Sequence, residues 1–145
     1  MSTNDSSTPE FQTSIASVWQ DLKQLTDQVV AEMNRAEELR SKTGGLEFRF
    51  ADLDEMIISN HVSPGMDVTT SMDVTIRLRS DVIQVQTRTV FKGAETAERE
   101  WWESFAVQSA AGGASLRNRA GEELTIEQAV YHILRPFLHL HAAAN

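Results

Sequence analysis

No cysteine occurs among the 145 residues. Disulfide bridges, thiolate nucleophiles and cysteine-ligated metals are therefore excluded, and a reducing compartment is the natural setting. Positive charge is also scarce: 13 Lys and Arg stand against 21 Asp and Glu, a net charge of -8. That balance argues against nucleic acid as the main partner, because a phosphate backbone demands a basic footprint. The longest apolar runs are a few residues, far below the ~20 that span a bilayer. No apolar run follows the first methionine, so no secretory signal is predicted. The expectation is a soluble cytoplasmic protein with neither a nucleic-acid nor a membrane partner.

Chemical motifs are equally sparse. There is no Gly-x-Ser-x-Gly elbow, no phosphate-binding glycine loop and no dinucleotide fingerprint. His139 and His141 diverge by roughly 200° on a helix, and His132 and His139 lie two turns apart. Neither spacing matches the i, i+4 pair of helical zinc sites. Asp52, Asp54 and Glu55 cluster, but the glycine and further oxygen ligands of a calcium loop are missing, and turn chemistry explains them better. Neither a cofactor nor a metal is predicted, and an enzyme is the less favoured reading.

What the chain does have is periodicity. Between Pro9 and Lys42 there is neither glycine nor proline. Phe11, Ile15, Val18, Leu22, Leu25, Val29, Met33 and Ala36 recur at steps of three and four, the spacing of one helical face. Ser7 or Thr8, Pro9 and Glu10 suit its start, and Arg40, Lys42 and Gly44-Gly45 its end. Such a helix would be about 50 Å long, whereas a domain of this size is roughly 40 Å across. Its excess length points to an overhang, a bend or a partner chain. Ala16, Trp19 and Val30 make the stripe wide, which suits packing on a sheet, and Glu32 interrupts a coiled-coil seam. Ile15, Trp19, Leu22 and Val29 are the candidate oligomer interface.

The period then changes to two. Leu46, Phe48 and Phe50 alternate with charged residues, and Met56 to Val62 is a second strand, ended by Ser63-Pro64-Gly65. A two-residue turn at Ser80-Asp81 would set Leu78 opposite Ile83, Ile76 opposite Val85, Arg77 opposite Gln84 and Asp73 opposite Arg88. Apolar then meets apolar and opposite charges meet. Ser-Asp is a poorer turn pair than Asn-Gly, so a longer loop is the alternative. Further strands are expected over Ala97–Gln108 and Ser115–Arg119. Thr125 and Gln128 have capping-box spacing before a closing helix that Pro136 should kink or split.

The predicted architecture is α+β: a disordered tail over 1–8, then one domain over 9–145. A long N-terminal helix and a kinked C-terminal helix pack on one face of a five- or six-stranded antiparallel meander. Adjacent strand residues point to opposite faces. If Trp101 faces the core with Phe105 and Val107, Trp102 joins Glu98, Glu100 and Ser104 on the polar face. There it meets Arg77, Gln84, Gln86 and Arg88, which with His61 are candidates for a partner protein or a small anionic ligand. The plainer reading is a solvated face of ion pairs, with Trp102 covering arginine stems. Three functions follow as expectations. The first is a non-enzymatic interaction protein, homodimeric through self-association. The second is a small-molecule-binding protein or simple enzyme, its pocket between curved sheet and helices lined by Met56, His61, Trp101, Trp102, Phe105 and Tyr131. The third is an acidic chaperone of secretion or phage type.

Overall fold

The computed structural model describes residues 9–38, 40, 45–60, 69–93, 95–110 and 113–139. The expected tail, His61, the Ser63-Pro64-Gly65 turn and His141 lie outside them. Helix α1 (Pro9–Arg35) leads into strands β1 (Leu46–Asp52), β2 (Glu55–Asn60), β3 (Thr69–Arg79) and β4 (Val82–Lys92). Strands β5 (Thr96–Ala110), β6 (Gly113–Arg117) and β7 (Glu123–Leu124) follow. Helix α2 (Ile126–Leu134) and a 3-10 turn over Arg135–His139 close the described chain. The strands form one antiparallel sheet in sequence order.

The class is α+β as expected, but the sheet has seven strands rather than five or six. The extra strand, β7, is two residues long and pairs with Leu116 and Arg117. Two residues cannot display an alternation, so its origin is the turn before it. There Asn118 N donates to Glu122 O (3.0 Å), Gly121 N donates to Asn118 O (3.0 Å), and Gly121 takes φ +86°, a conformation open to glycine at no steric cost.

The β3–β4 register is the one that charge and apolar matching require. Leu78 faces Ile83, Ile76 faces Val85, Arg77 faces Gln84 and Asp73 faces Arg88. The turn has two residues, Ser80 and Asp81, and Ser80 sits at φ +61°. Positive φ at the first central position only is the type II′ pattern, which normally uses glycine. Cross-strand pairing along eleven residues outweighs that local strain.

Buried sheet residues share one face, including Met56, Ile58, Val74, Ile76, Ile83 and Phe105, all inaccessible to solvent. Helix α1 packs there on β1, β5 and α2, and α2 packs on β6 and β7. The α1 stripe is used up in this contact: Val18, Trp19, Leu22, Val29 and Met33 are buried, and Ile15 and Leu25 partly so. Trp19 also donates its indole Nε1 to Leu53 O at 2.9 Å.

The regular helix stops at Arg35, and helical hydrogen bonds continue to Arg40 beyond a bend at Ala36. Its 27 residues give about 40 Å. Strand β5, with 15 residues, reaches up to about 50 Å when fully extended. The long helix thus bends at Ala36, one of the outcomes its length pointed to, and helix and longest strand have comparable reach. Asn34 fastens α1 to the sheet, donating Nδ2 to Leu46 O (2.7 Å) and accepting from Leu46 N on Oδ1 (2.8 Å). Asn60 does the same at the end of β2, bonding Thr70 O (2.9 Å) and Met72 N (2.6 Å).

At the other end, Thr125 caps α2. Gln128 N donates to its Oγ1 (3.1 Å) and Thr125 N donates to Gln128 Oε1 (2.9 Å). Helix α2 ends just before Pro136, and the chain continues as the 3-10 turn, because proline lacks the donor a longer helix needs.

Candidate functional site

The outer face of the sheet gathers the sequence-derived candidates. Arg77 lies opposite Gln84, Gln86 opposite Trp102, and Arg88 opposite Glu100. Their charges are already matched. Arg77 is ion-paired with Glu55, and Arg88 Nε lies 2.5 Å from Glu98 Oε1. The hydrogen bond to Glu98, and then its charge, raise the Arg88 pKa above its ordinary value. Trp102, 52% exposed, donates Nε1 to Glu100 Oε1 at 3.0 Å. An anion approaching Arg77 or Arg88 meets an arginine that a carboxylate already holds, whereas Arg49 and Arg79 on the same face have no ion pair among the described residues. The oligomer candidates lie elsewhere: Trp19, Leu22 and Val29 sit in the chain's own core, so Leu22 has no exposed surface to offer a partner.

A more distinctive site lies on the inner face of the sheet. A groove of about 400 Å³ opens between β3–β5 and the C-terminal helix. Met72, Phe91, Trp101 and Pro136 give it apolar walls. Trp101 shares the face of Phe105 and Val107, as strand parity requires, yet it is 38% exposed and lines the groove. Thr70 and Thr89 add hydroxyl-bearing walls. Thr89 is only 4% exposed, and its Oγ1 has no hydrogen-bond partner among the described residues. A buried hydroxyl without a partner costs free energy.

Charged groups ring the groove. Glu103 and His132 face each other across it, with Nε2 2.9 Å from Oε2. The imidazole also stands edge-on to Phe105, ring centroids 6.0 Å apart. Arg99 and Arg135 line the same groove, and among the described residues neither guanidinium makes an ion pair or hydrogen bond. Two further depressions adjoin His132, one of about 660 Å³ at Tyr131 and Thr125, the other of about 250 Å³ at Trp102 and Asn118. Of the side chains expected to line a pocket, Trp101 does so here, Tyr131 and Trp102 line the neighbouring depressions, and Met56 and Phe105 are core residues.

Comparison with protein-family models, with curated proteins and with solved structures finds no significant match. Function must be argued from the geometry. Among the described residues no three His, Asp or Glu form a metal-binding group, and no helix is long and apolar enough to cross a membrane. No described hydroxyl is hydrogen-bonded to the His132 imidazole, so no described nucleophile is paired with that base. Sequence reasoning missed Thr89, Arg99, Glu103 and Arg135. A signal existed: Thr87 and Thr89 prolong the inward series of Ile83 and Val85, and Glu103 falls between inward-facing Trp101 and Phe105. Polar residues at core parity mark the place where the core ends.

Proposed function

We propose that this chain is a non-enzymatic binding protein that holds a small, largely apolar molecule between the sheet and the C-terminal helix. The observation that carries this reading is the groove itself, about 400 Å³ with four apolar side chains, a partly exposed Trp101 among them. Ligand sites are typically ~300–1,000 Å³, mostly apolar, with a few fixed polar groups. An exposed indole inside a concavity is poorly solvated, and covering it stabilises the complex. Titration with the neutral fluorescent probe N-phenyl-1-naphthylamine tests the proposal. Saturable binding at one site per chain, lost in Trp101→Glu, is expected. Absence of saturation, or unchanged binding in that variant, would sink it.

Self-association is a second reading, favoured by β1 rather than by α1. Strand β1 is an edge of the sheet, flanked by Phe50 and Leu53 at 59% and 82% exposure. A two-fold antiparallel pairing centred on Phe48 sets Glu47 opposite Arg49 of a second copy. Sedimentation equilibrium is the test. Arg49→Glu should give monomers, and Glu47→Arg combined with Arg49→Glu should restore dimers. A monomeric wild type removes this reading and leaves the groove untouched.

A further inference from the structure

The groove reading can be deepened to a ligand class. We infer that the guest is an apolar monocarboxylate, its head group held by Arg99 and Arg135 with the Thr89 hydroxyl. The inference rests on the groove being the binding site.

Three observations converge on it. First, Arg77, Arg88 and Arg117 of this sheet are held by Glu55, Glu98 and Glu123, while Arg49 and Arg79 have no ion pair among the described residues. Acidic residues outnumber basic ones by 21 to 13, so partners are plentiful. What sets Arg99 and Arg135 apart is that they line one apolar groove together, with neither engaged among the described residues. Secondly, the acid that lines the groove is occupied, because Glu103 is bound to His132 at 2.9 Å. Thirdly, Thr89 Oγ1 is buried in the same groove without a partner. A hydroxyl donates to a carboxylate oxygen, and a guanidinium presents the planar fork that a carboxylate matches.

The remaining walls fix the rest of the molecule. Met72, Phe91, Trp101 and Pro136 suit an alkyl or aryl body, which supplies affinity by leaving water. The field of the whole chain limits the charge. At a net charge of -8 a polyanion is repelled on approach, so a single negative charge matched locally by two arginines is favoured over a phosphate ester.

The test compares three ligands of one chain length, decanoate, 1-decanol and decylammonium, by Trp fluorescence and calorimetry at pH 7.5. Decanoate is expected to bind about tenfold or more tightly than decanol, the worth of one charge-assisted contact. Arg99→Gln and Arg135→Gln should each remove most of that advantage while decanol affinity stays unchanged. Circular dichroism of each variant checks that the fold is intact. Higher salt should weaken decanoate and spare decanol. Decanol or decylammonium binding as tightly as decanoate overturns the inference and leaves the groove reading standing. Failure of all three to bind overturns both.

Discussion

Glu103 Oε2 lies 2.9 Å from His132 Nε2 and joins the middle of β5 to the last turn of α2. Both residues line the groove, so the contact ties sheet and helix together there. Both side chains are over a third exposed. A double-mutant cycle with Glu103→Gln and His132→Ala, read by urea unfolding, should give a coupling of about 0.2–1 kcal/mol that shrinks with added salt. Zero coupling at low salt would show that the pair does not tie the layers together.

Thr89 is the residue where stability and binding are set against each other. Thr89→Val keeps the side chain's shape and removes the unpartnered hydroxyl. The unliganded protein should gain about 1 kcal/mol in urea unfolding. If the hydroxyl serves a carboxylate guest, decanoate affinity should fall in the same variant. A loss of stability would mean that the hydroxyl has a partner in solution.

Ser80 carries backbone strain at φ +61°. Ser80→Gly relieves it, less the extra freedom glycine has when unfolded. The net gain should be a few tenths to about 1 kcal/mol, seen as a rise in Tm of up to about 3 °C. No change in Tm would place the strain within what the turn tolerates.

Asn34 is the bolt between α1 and the edge strand. Asn34→Ala deprives both Leu46 N and Leu46 O of their side-chain partner. A loss of about 1–3 kcal/mol is expected. Asn34→Asp keeps the acceptor and should retain part of it. Hydrogen exchange of the Leu46 amide gives a local readout and should accelerate in Asn34→Ala.

Leu22 separates the two roles available to the α1 stripe. It is inaccessible in the single chain, so Leu22→Ala should destabilise by about 2–5 kcal/mol whatever the protein concentration. A loss that disappears at high concentration would instead mark the stripe as an interface between copies.

Much of this architecture is legible locally. The 3.6-residue stripe of α1, the alternation of β3 and β4, the Thr125–Gln128 cap and the break at Pro136 depend on neighbours in sequence. The β3–β4 register could be read because apolar and charged partners agree in only one alignment. The strand β7 could not, since two residues carry no period. The groove was illegible for a related reason: polar residues at Thr89 and Glu103 interrupt an inward-facing series, but nothing local says which element covers that series or where the cover stops.

The sequence by itself determined the elements, their faces and the antiparallel neighbours, because side-chain periodicity and turn chemistry act over a few residues. Tertiary structure decided what those faces meet. It spent the α1 stripe on the chain's own sheet, matched Arg77 and Arg88 with carboxylates, and left Trp101 partly exposed at core parity. Packing is a competition between surfaces distant in sequence. Only its outcome puts Thr89, Arg99 and Arg135 around one groove.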